Sequence, residues 1–388
     1  MSLAEIAHAA GLERIHVLAW RDLADVEAGG SEVHAAEVVR RWADAGLDVT
    51  MRTSYAQGHP PEAVRDGYRV VRKHGRFMVF PTTVVSEVLG RMGPYDGLVE
   101  YWNGTPYLSP LWARGPHVTV VHHVHRDMWR MVLDERLAPW GEFIERRVAP
   151  PFYRRTPLVT LSESSRRELI DYLHFSASQI TVVPPGIDAR YSPGGSRSTE
   201  PLVVAVGRLM APKRFDELIR VMAEVREHQP GTQLVIVGDG YERLALEQQI
   251  ADLDAEDWIR LAGRVSDEEL LGLYREAWLV ASASIAEGWG MTLTEAAACG
   301  TPAVASRISG HSDSVRDGRS GLLADDSRDL AAKIGQVLGD ADLRQRLSEG
   351  ARKYAAELTW DATAVGVLTP LADDALRRRL RGGGRRPR

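Results

Sequence analysis

The sequence has 388 residues, a length that suggests two or three domains, and its 44% hydrophobic and 26% charged residues supply ample material for two globular cores. A net charge of −5 argues against a general nucleic-acid binder. The single cysteine, Cys299, excludes an intramolecular disulfide and any multi-cysteine metal site and fits a reducing cytoplasm. Met1 to Gly11 carries acids and no basic leader, and no apolar run approaches the ~20 residues of a membrane-crossing helix, so a cytoplasmic protein is expected.

The first half alternates short apolar runs with amphipathic segments, the pattern of a doubly wound α/β domain. Strands are expected at Ile15–Trp20, Asp48–Met51, Tyr68–Val71, Gly97–Glu100, His117–Val121, Leu158–Leu161 and Ile180–Val183. After the first strand, Gly29-Gly30-Ser31-Glu32-Val33-His34 starts a helix with Ser31 as N-cap, and the two glycines let the backbone come close to a ligand there. Val120 to Trp129 holds three histidines at a strand end. Strand alternation turns His122 away from His123 and His125, so at most two could meet one ion, and no metal is expected. Trp102, Trp112, Trp129 and Trp140 are expected mainly in the core, with a sugar- or aglycone-stacking surface as the other use. Arg146-Arg147 and Arg154-Arg155, on a helix, read either as a solvated face or as a contact with anionic lipid.

Residues 189–200, rich in Pro, Gly and Ser, read as a linker. A second strand series follows at Leu202–Val206, Gln233–Val237, Trp258–Leu261, Trp278–Ser282, Ala303–Ala305 and Gly321–Leu323. Gly207-Arg208-Leu-Met-Ala-Pro-Lys213 places two cations after a strand end, before a helix expected near Pro212. Arg208 suits a bidentate phosphate contact and Lys213 a point charge on a second phosphate. Leu261 to Leu270 joins a strand end to a Ser266-x-x-Glu269 capping box. Glu287-Gly-Trp-Gly290-Met291-Thr292-Leu-Thr-Glu295 combines a loop acid, a helix start and a second acid inside the helix. Unpaired amides and the positive end of a helix dipole suit an anion such as a diphosphate, and two carboxylates suit the hydroxyls of the same ligand. Cys299, at the end of this helix, is expected to pack as a small buried residue.

The acids Glu287 and Glu295, separated by seven residues with a Gly-aromatic-Gly interior and trailed by Cys299-Gly-Thr-Pro302, resemble the E-x(7)-E signature of the retaining glycosyltransferases of family 4. The usual interior there is Gly-Phe-Gly-Leu; Trp289 and Met291 depart from it conservatively. Gly207 to Lys213 resembles the G-R-L-x-x-x-K motif of the same family, and Gly29-Gly30 its Gly-Gly loop. The resemblance runs from Gly29 to about Glu357 and implies a GT-B fold: two Rossmann-like α/β domains facing across a cleft, with a terminal helix crossing back to the first. It also implies roles. Arg208 and Lys213 bind the donor diphosphate, Arg264 and Val265 border the nucleobase through backbone groups, and His122, with His123 in reserve, lies beside the reacting sugar. Gly29, Gly30 and the backbone of Gly290, Met291 and Thr292 adjoin the donor. Glu287 takes sugar hydroxyls and Glu295 the ribose. Asp188, in Pro-Pro-Gly-Ile-Asp188, reads as a hinge marker, and Asp313, where Gly-Gly-x-Pro-Glu is usual, as a shortened carboxylate.

The expected partition is therefore residues 1–188 as the acceptor-side domain, 189–200 as linker, 201–358 as the donor domain, 359–380 as crossover helix and 381–388 as a disordered basic tail. The expected function is transfer of a sugar from a nucleotide diphosphate sugar, with retention, by a front-face route needing neither metal nor cofactor. The alternatives are a GT-B epimerase or phosphorylase, or a nucleotide-sugar-binding protein without turnover. A nicotinamide-dependent oxidoreductase is disfavoured, because Val237-Gly-Asp-Gly240 lacks the third glycine of a dinucleotide fingerprint. The sequence names neither nucleobase nor acceptor; the tail is expected to be solvated, with a weak contact to anionic lipid or a polyanionic acceptor as the alternative, and a peripheral place at the inner membrane face is open to the protein.

Overall fold

The computed structural model describes residues 1–129 and 136–383. The chain forms two compact units. Unit 1 comprises Met1–Gly186 and the chain from Trp360 onward, and unit 2 comprises Ile187–Thr359.

Unit 1 is built on β1 (Arg14–Leu18), β2 (Asp48–Thr53), β3 (Glu62–Arg65), β4 (Tyr68–Arg72), β5 (Gly97–Trp102), β6 (His117–Val121), β7 (Leu158–Thr160) and β8 (Ile180–Val182). They pair in the order β3-β4-β2-β1-β5-β6-β7-β8, all parallel except β3 against β4. Parallel strands are covered on both faces and so read as unbroken apolar runs, which is why seven of them were visible in the sequence. The unexpected one is β3, a short edge strand with exposed Val64. Asp66 and Gly67 join it to β4 with φ of 46° and 81°, the pair of positive angles that a two-residue Asp-Gly hairpin turn takes. The helices of this unit are α1 (Leu3–Ala10), α2 (Gly30–Asp44), α3 (Val79–Val88), α4 (Ser109–Trp112), α5 (Ala138–Phe143), α6 (Pro150–Tyr153) and α7 (Glu163–Asp171).

Unit 2 carries β9 (Leu202–Val206), β10 (Gln233–Val237), β11 (Ile259–Gly263), β12 (Leu279–Ser282), β13 (Ala303–Ser306) and β14 (Gly321–Ala324), on the six expected runs. All are parallel, in the order β11-β10-β9-β12-β13-β14. The chain reverses its direction of travel across the sheet between β9 and β12. Its helices are α8 (Phe215–His228), α9 (Arg243–Asp252), α10 (Asp267–Glu276), α11 (Met291–Ala298), α12 (His311–Ser314), α13 (Ser327–Gly339) and α14 (Ala341–Ala355). Residues 189–200, expected as a linker, are held by unit 2. Arg275 Nε donates to the Ser192 carbonyl at 2.8 Å, the Trp278 indole donates to the Ser198 carbonyl at 2.9 Å, and Arg197 donates to the carbonyls of Ala277 and Gly300.

The last helix, α15 (Trp360–Gly383), returns to unit 1. Val367, Leu368, Leu371 and Ala372 join Ile15, Val17, Val99 and Val118 in one buried core, and the Trp42 indole donates to the Ala364 carbonyl at 3.0 Å. The helix continues to Gly383, three residues beyond the expected end at 380, so the start of the expected tail is helical. The remainder of that tail, 384–388, lies outside the described residues.

Candidate functional site

The loops at the carboxyl ends of β9 and β12, where the strand order reverses, bring the main residues of unit 2 together, as the geometry of open parallel sheets favours. After β9 the chain passes Gly207 and the exposed Arg208 into a single 3₁₀ turn, Ala211–Lys213. The helix expected near Pro212 is corrected to α8, which begins at Phe215 after Arg214 takes a φ of 49°. The Lys213 stem lies over Gly207, where an added methyl would stand 3.5 Å from its Cε. After β12 the loop comes back to this turn. The Ile285 N–H donates to the Pro212 carbonyl at 3.0 Å, the Lys213 ammonium donates to Glu287 Oε1, and Ser284 Oγ donates to the same oxygen at 3.0 Å.

Gly290 closes the loop with a φ of 96° and serves as N-cap of α11, with no side chain covering the helix start. The first amides of a helix, here at Met291 and Thr292, have no carbonyl one turn back to receive them. Trp289, in place of the usual Phe, is buried, and among the described residues its indole nitrogen finds no partner. The loop is pressed from the other side by Gly310, whose φ is 85°; a Cβ there would come within 2.5 Å of the Glu287 carbonyl. His311 follows, packed against Gly290 and bonded through Nδ1 to the Ser306 carbonyl at 3.0 Å. Neither Gly310 nor His311 was expected at the site. The signal in the sequence was Ser309-Gly310-His311; Asp313, expected there as a shortened carboxylate, is a residue of α12 whose backbone carbonyl accepts from the Tyr354 hydroxyl at 2.8 Å.

The two acids are in different electrostatic states. Burial raises Glu287, but Lys213 and His311 nearby, with the hydrogen bonds from Lys213 and Ser284, outweigh it and hold the carboxyl below its usual range. Burial also holds His311 below its ordinary value. Glu295, one turn into α11, is pushed up to about 7 by burial; the Tyr274 hydroxyl, 3.0 Å from its Oε2, and Arg190 offset only part of this. Arg190 pairs with Asp188 at 3.1 Å and with Asp267, so the segment read as a hinge marker adds charge around Glu295. Arg264 and Val265 follow the end of β11, two strands from β9, with Arg264 exposed and Ser266 capping α10 as expected.

In unit 1, Gly29 and Gly30 do open a helix, but Ser31 is not its cap. Gly29 is the N-cap residue, and Glu32 reaches back: its Oε2 accepts from the Gly29 N–H and the Ser31 hydroxyl, each at 2.8 Å. Arg21 Nε donates to the other Glu32 oxygen at 3.1 Å. Beside this start lies a pocket of about 10 Å³, room for about one water, walled by Arg21, Ser31, Glu32, Tyr101, Asn103 and His122. His122 follows β6 and is buried edge-on to His34, with ring centroids 4.9 Å apart. Among the described residues, the ring nitrogens of both histidines and the Tyr101 hydroxyl lack partners. Burial, with His123 nearby, pushes His122 down to about 3, and burial holds His34 well below its ordinary value, so both rings are uncharged near neutral pH.

The His123 and His125 rings pack with centroids 4.6 Å apart, tilted by 34°, and among the described residues no three His, Cys, Asp or Glu side chains gather as metal ligands. Trp102 and Trp129 are core residues, Trp112 is half-buried, and Trp140 is exposed. Cys299 is buried, and burial pushes its thiol up to about 11. Among the described residues no helix is long and apolar enough to cross a membrane.

Solved structures assign this architecture to the GT-B glycosyltransferases. A sucrose-phosphate synthase from Thermosynechococcus elongatus superposes with a TM-score of 0.79 at 20% identity, covering 96% of this chain and 100% of that one. Anabaena HepE, in complex with UDP-glucose, superposes with a TM-score of 0.72 at 20% identity, covering 94% and 99%. In sequence, residues 28–191 match the model described as Glycosyltransferase Family 4 and residues 191–354 the model described as Glycosyl transferases group 1. The D-inositol 3-phosphate glycosyltransferase of Salinispora arenicola is 30% identical over 390 residues, covering 88% of this chain and 86% of the relative. That of Acidothermus cellulolyticus is 30% identical over 395 residues, covering 91% and 87%. The chain belongs to the group 1 glycosyltransferases of family 4, and it is a glycosyltransferase.

Proposed function

We propose that the protein moves a sugar from a nucleotide diphosphate sugar to a hydroxyl acceptor with retention of configuration, without a metal or other cofactor. The observation that carries this reading is the meeting of Lys213 and Glu287 on the loop that leads into the uncapped start of α11. A leaving diphosphate gathers negative charge as the anomeric C–O bond breaks. Lys213, Arg208 and the Gly290–Thr292 backbone supply positive charge for it, the work that Mg²⁺ does in other transferases. Glu287 accepts from sugar hydroxyls, Glu295 from the ribose, and the strand end at Arg264 and Val265 borders the base. None of these residues is read as a nucleophile: Glu287 is engaged by Lys213 and Ser284 and is given the sugar hydroxyls. The acceptor oxygen therefore bonds to the anomeric carbon on the face that the diphosphate leaves, and its proton passes to a departing phosphate oxygen.

In unit 1, Gly29 and Gly30 are assigned to the donor phosphates and the acceptor, and the uncharged His122 to the reacting sugar. HepE was solved with UDP-glucose, and the relatives are named for D-inositol 3-phosphate, so a UDP-sugar and a phosphorylated cyclitol are the first donor and acceptor to try. The protein works in the cytoplasm, with peripheral contact to the inner membrane face. Mass-spectrometric screening of UDP, GDP and ADP sugars against such acceptors, in EDTA, tests the reading, and the anomeric proton coupling of the product reports its configuration. Loss of activity in EDTA, an inverted product or free epimerised sugar without acceptor would each overturn its part.

A further inference from the structure

The two arginine pairs singled out in the sequence are not used by the donor site. They lie on a near-continuous helical stretch of α5, a π-helical turn at Ile144–Val148, and α6. Its inner side is anchored by polar groups. The Glu145 carboxylate accepts from the His125 N–H and the Trp129 indole, both at 3.0 Å, and the Tyr153 hydroxyl donates to Glu100 at 2.7 Å. The outer side is apolar and basic. Between 136 and 155, 13 residues are exposed: 5 are arginines, 8 are apolar, and none is acidic. Trp140 is 64% exposed and Phe143 50%, whereas soluble surfaces normally scatter such side chains and mix their charges. Arg147, Arg154 and Arg155 have no hydrogen-bond or ion-pair partner among the described residues, and the surplus of positive charge sits in a chain of net charge −5. Alongside is a cleft of about 450 Å³ lined by Phe152, Arg154, Arg155, His117 and Arg378. Arg378 and Arg377 are partly neutralised by Asp374, at 2.6 and 3.7 Å, but α15 goes on to expose Arg379 and Leu380 beyond them.

We propose that this face of unit 1 docks on an anionic lipid bilayer. Trp140, Phe143 and Ile144 seat at the level of the outer acyl carbons, the arginines meet headgroup phosphates, and the cleft takes one phosphate-bearing headgroup. A bilayer surface offers a phosphate plane and an apolar layer within a few ångströms of each other, which matches arginines interleaved with aromatic side chains. The proposal rests on the peripheral membrane contact read above and gives that contact a surface; glycosyl transfer in solution does not depend on it.

Co-sedimentation of the full chain with phosphatidylcholine vesicles, with and without about a third phosphatidylglycerol, tests it. Binding is expected on the anionic vesicles and weakens with salt. Trp140→Ser with Phe143→Ser, and separately Arg154→Glu with Arg155→Glu, are expected to lower it by about tenfold or more while nucleotide binding in solution stays unchanged. Variants that bind like wild type overturn the surface and leave the membrane contact standing. A wild-type chain that ignores anionic vesicles overturns both, as does a wild-type dimer that these substitutions dissociate without any vesicle binding. Should the serine variant misfold, brominated acyl chains supply the check: they are expected to quench wild-type fluorescence, and equal quenching of Trp140→Phe overturns the proposal.

Discussion

Before any donor arrives, the Lys213 ammonium is already held by Glu287, in side chains only 24% and 16% exposed. A diphosphate has to take the cation away from that carboxylate. Glu287→Gln removes the competing charge while keeping the shape and the Ser284 hydrogen bond. Two charges 4 Å apart attract by about 4 kcal/mol at the effective dielectric of a partly buried site, but desolvation offsets most of it, leaving about 1 kcal/mol. That is about fivefold, so Glu287→Gln is expected to bind the nucleoside diphosphate about five times more tightly than wild type. Transfer by the same variant is expected to fall by about 10²-fold, because a neutral amide grips the sugar hydroxyls less well as the transition state forms. Lys213→Met keeps the stem over Gly207 and removes the charge; it is expected to weaken nucleotide binding and to lower kcat/KM by about 10²- to 10³-fold. Isothermal titration with the nucleoside diphosphate and a mass-spectrometric transfer assay measure both. Near-wild-type turnover by Lys213→Met, or no tightening in Glu287→Gln, would refute the role given to this pair.

Burial holds Glu295 at about 7, so its carboxyl gains charge across neutrality, and as the charged form is the better acceptor for ribose hydroxyls, nucleotide affinity is expected to rise with pH through that region. Tyr274→Phe removes a hydrogen bond that favours the carboxylate and should move the inflection upward; a flat titration profile for wild type would contradict this. His122 is pushed down to about 3, so His122→Gln is expected to lower transfer by about tenfold or more, without altering nucleotide affinity and without removing a pH limb near neutrality. Gly310→Ala places a methyl 2.5 Å from the Glu287 carbonyl at a φ of 85°, and is expected to cost about 1–3 kcal/mol, read as a lowered Tm with weakened nucleotide binding; an unchanged Tm would show that the loop yields freely.

Much of the fold could be read because both sheets are nearly all parallel, and parallel strands announce themselves as unbroken runs such as Leu202–Val206. The hairpin strand β3 could not be found that way, since Glu62-Ala-Val-Arg65 is half solvated, although Asp66-Gly67 marked its turn. At the site, contiguous motifs were legible and convergent ones were not. Glu287 and Glu295 lie within one short segment, whereas Gly310 and His311 arrive from β13, and only the folded sheet shows that they support the same loop. Ser31 looked like a cap because its type is right; Glu32, one residue on, does the capping because Gly29 leaves the amide uncovered. The exposure of Trp140 was not legible at all. An apolar residue in a helix is ordinarily turned inward, and here Glu145 and Tyr153 occupy the inner side instead.

The two glutamates of one short motif therefore come to differ through what the rest of unit 2 brings to each. Glu287 is on a loop that reaches the basic turn after β9, so it is kept charged by a cation that the diphosphate will later compete for. Glu295 is carried by α11 to the side occupied by Tyr274, Asp188 and Asp267, and is left near the point of losing its charge. Carboxyls whose environments push them apart in this way can take separate tasks at one pH. The seven intervening residues matter because they span a loop end, an uncapped helix start and one helical turn, which places one acid against the cation and the other one turn inside the helix.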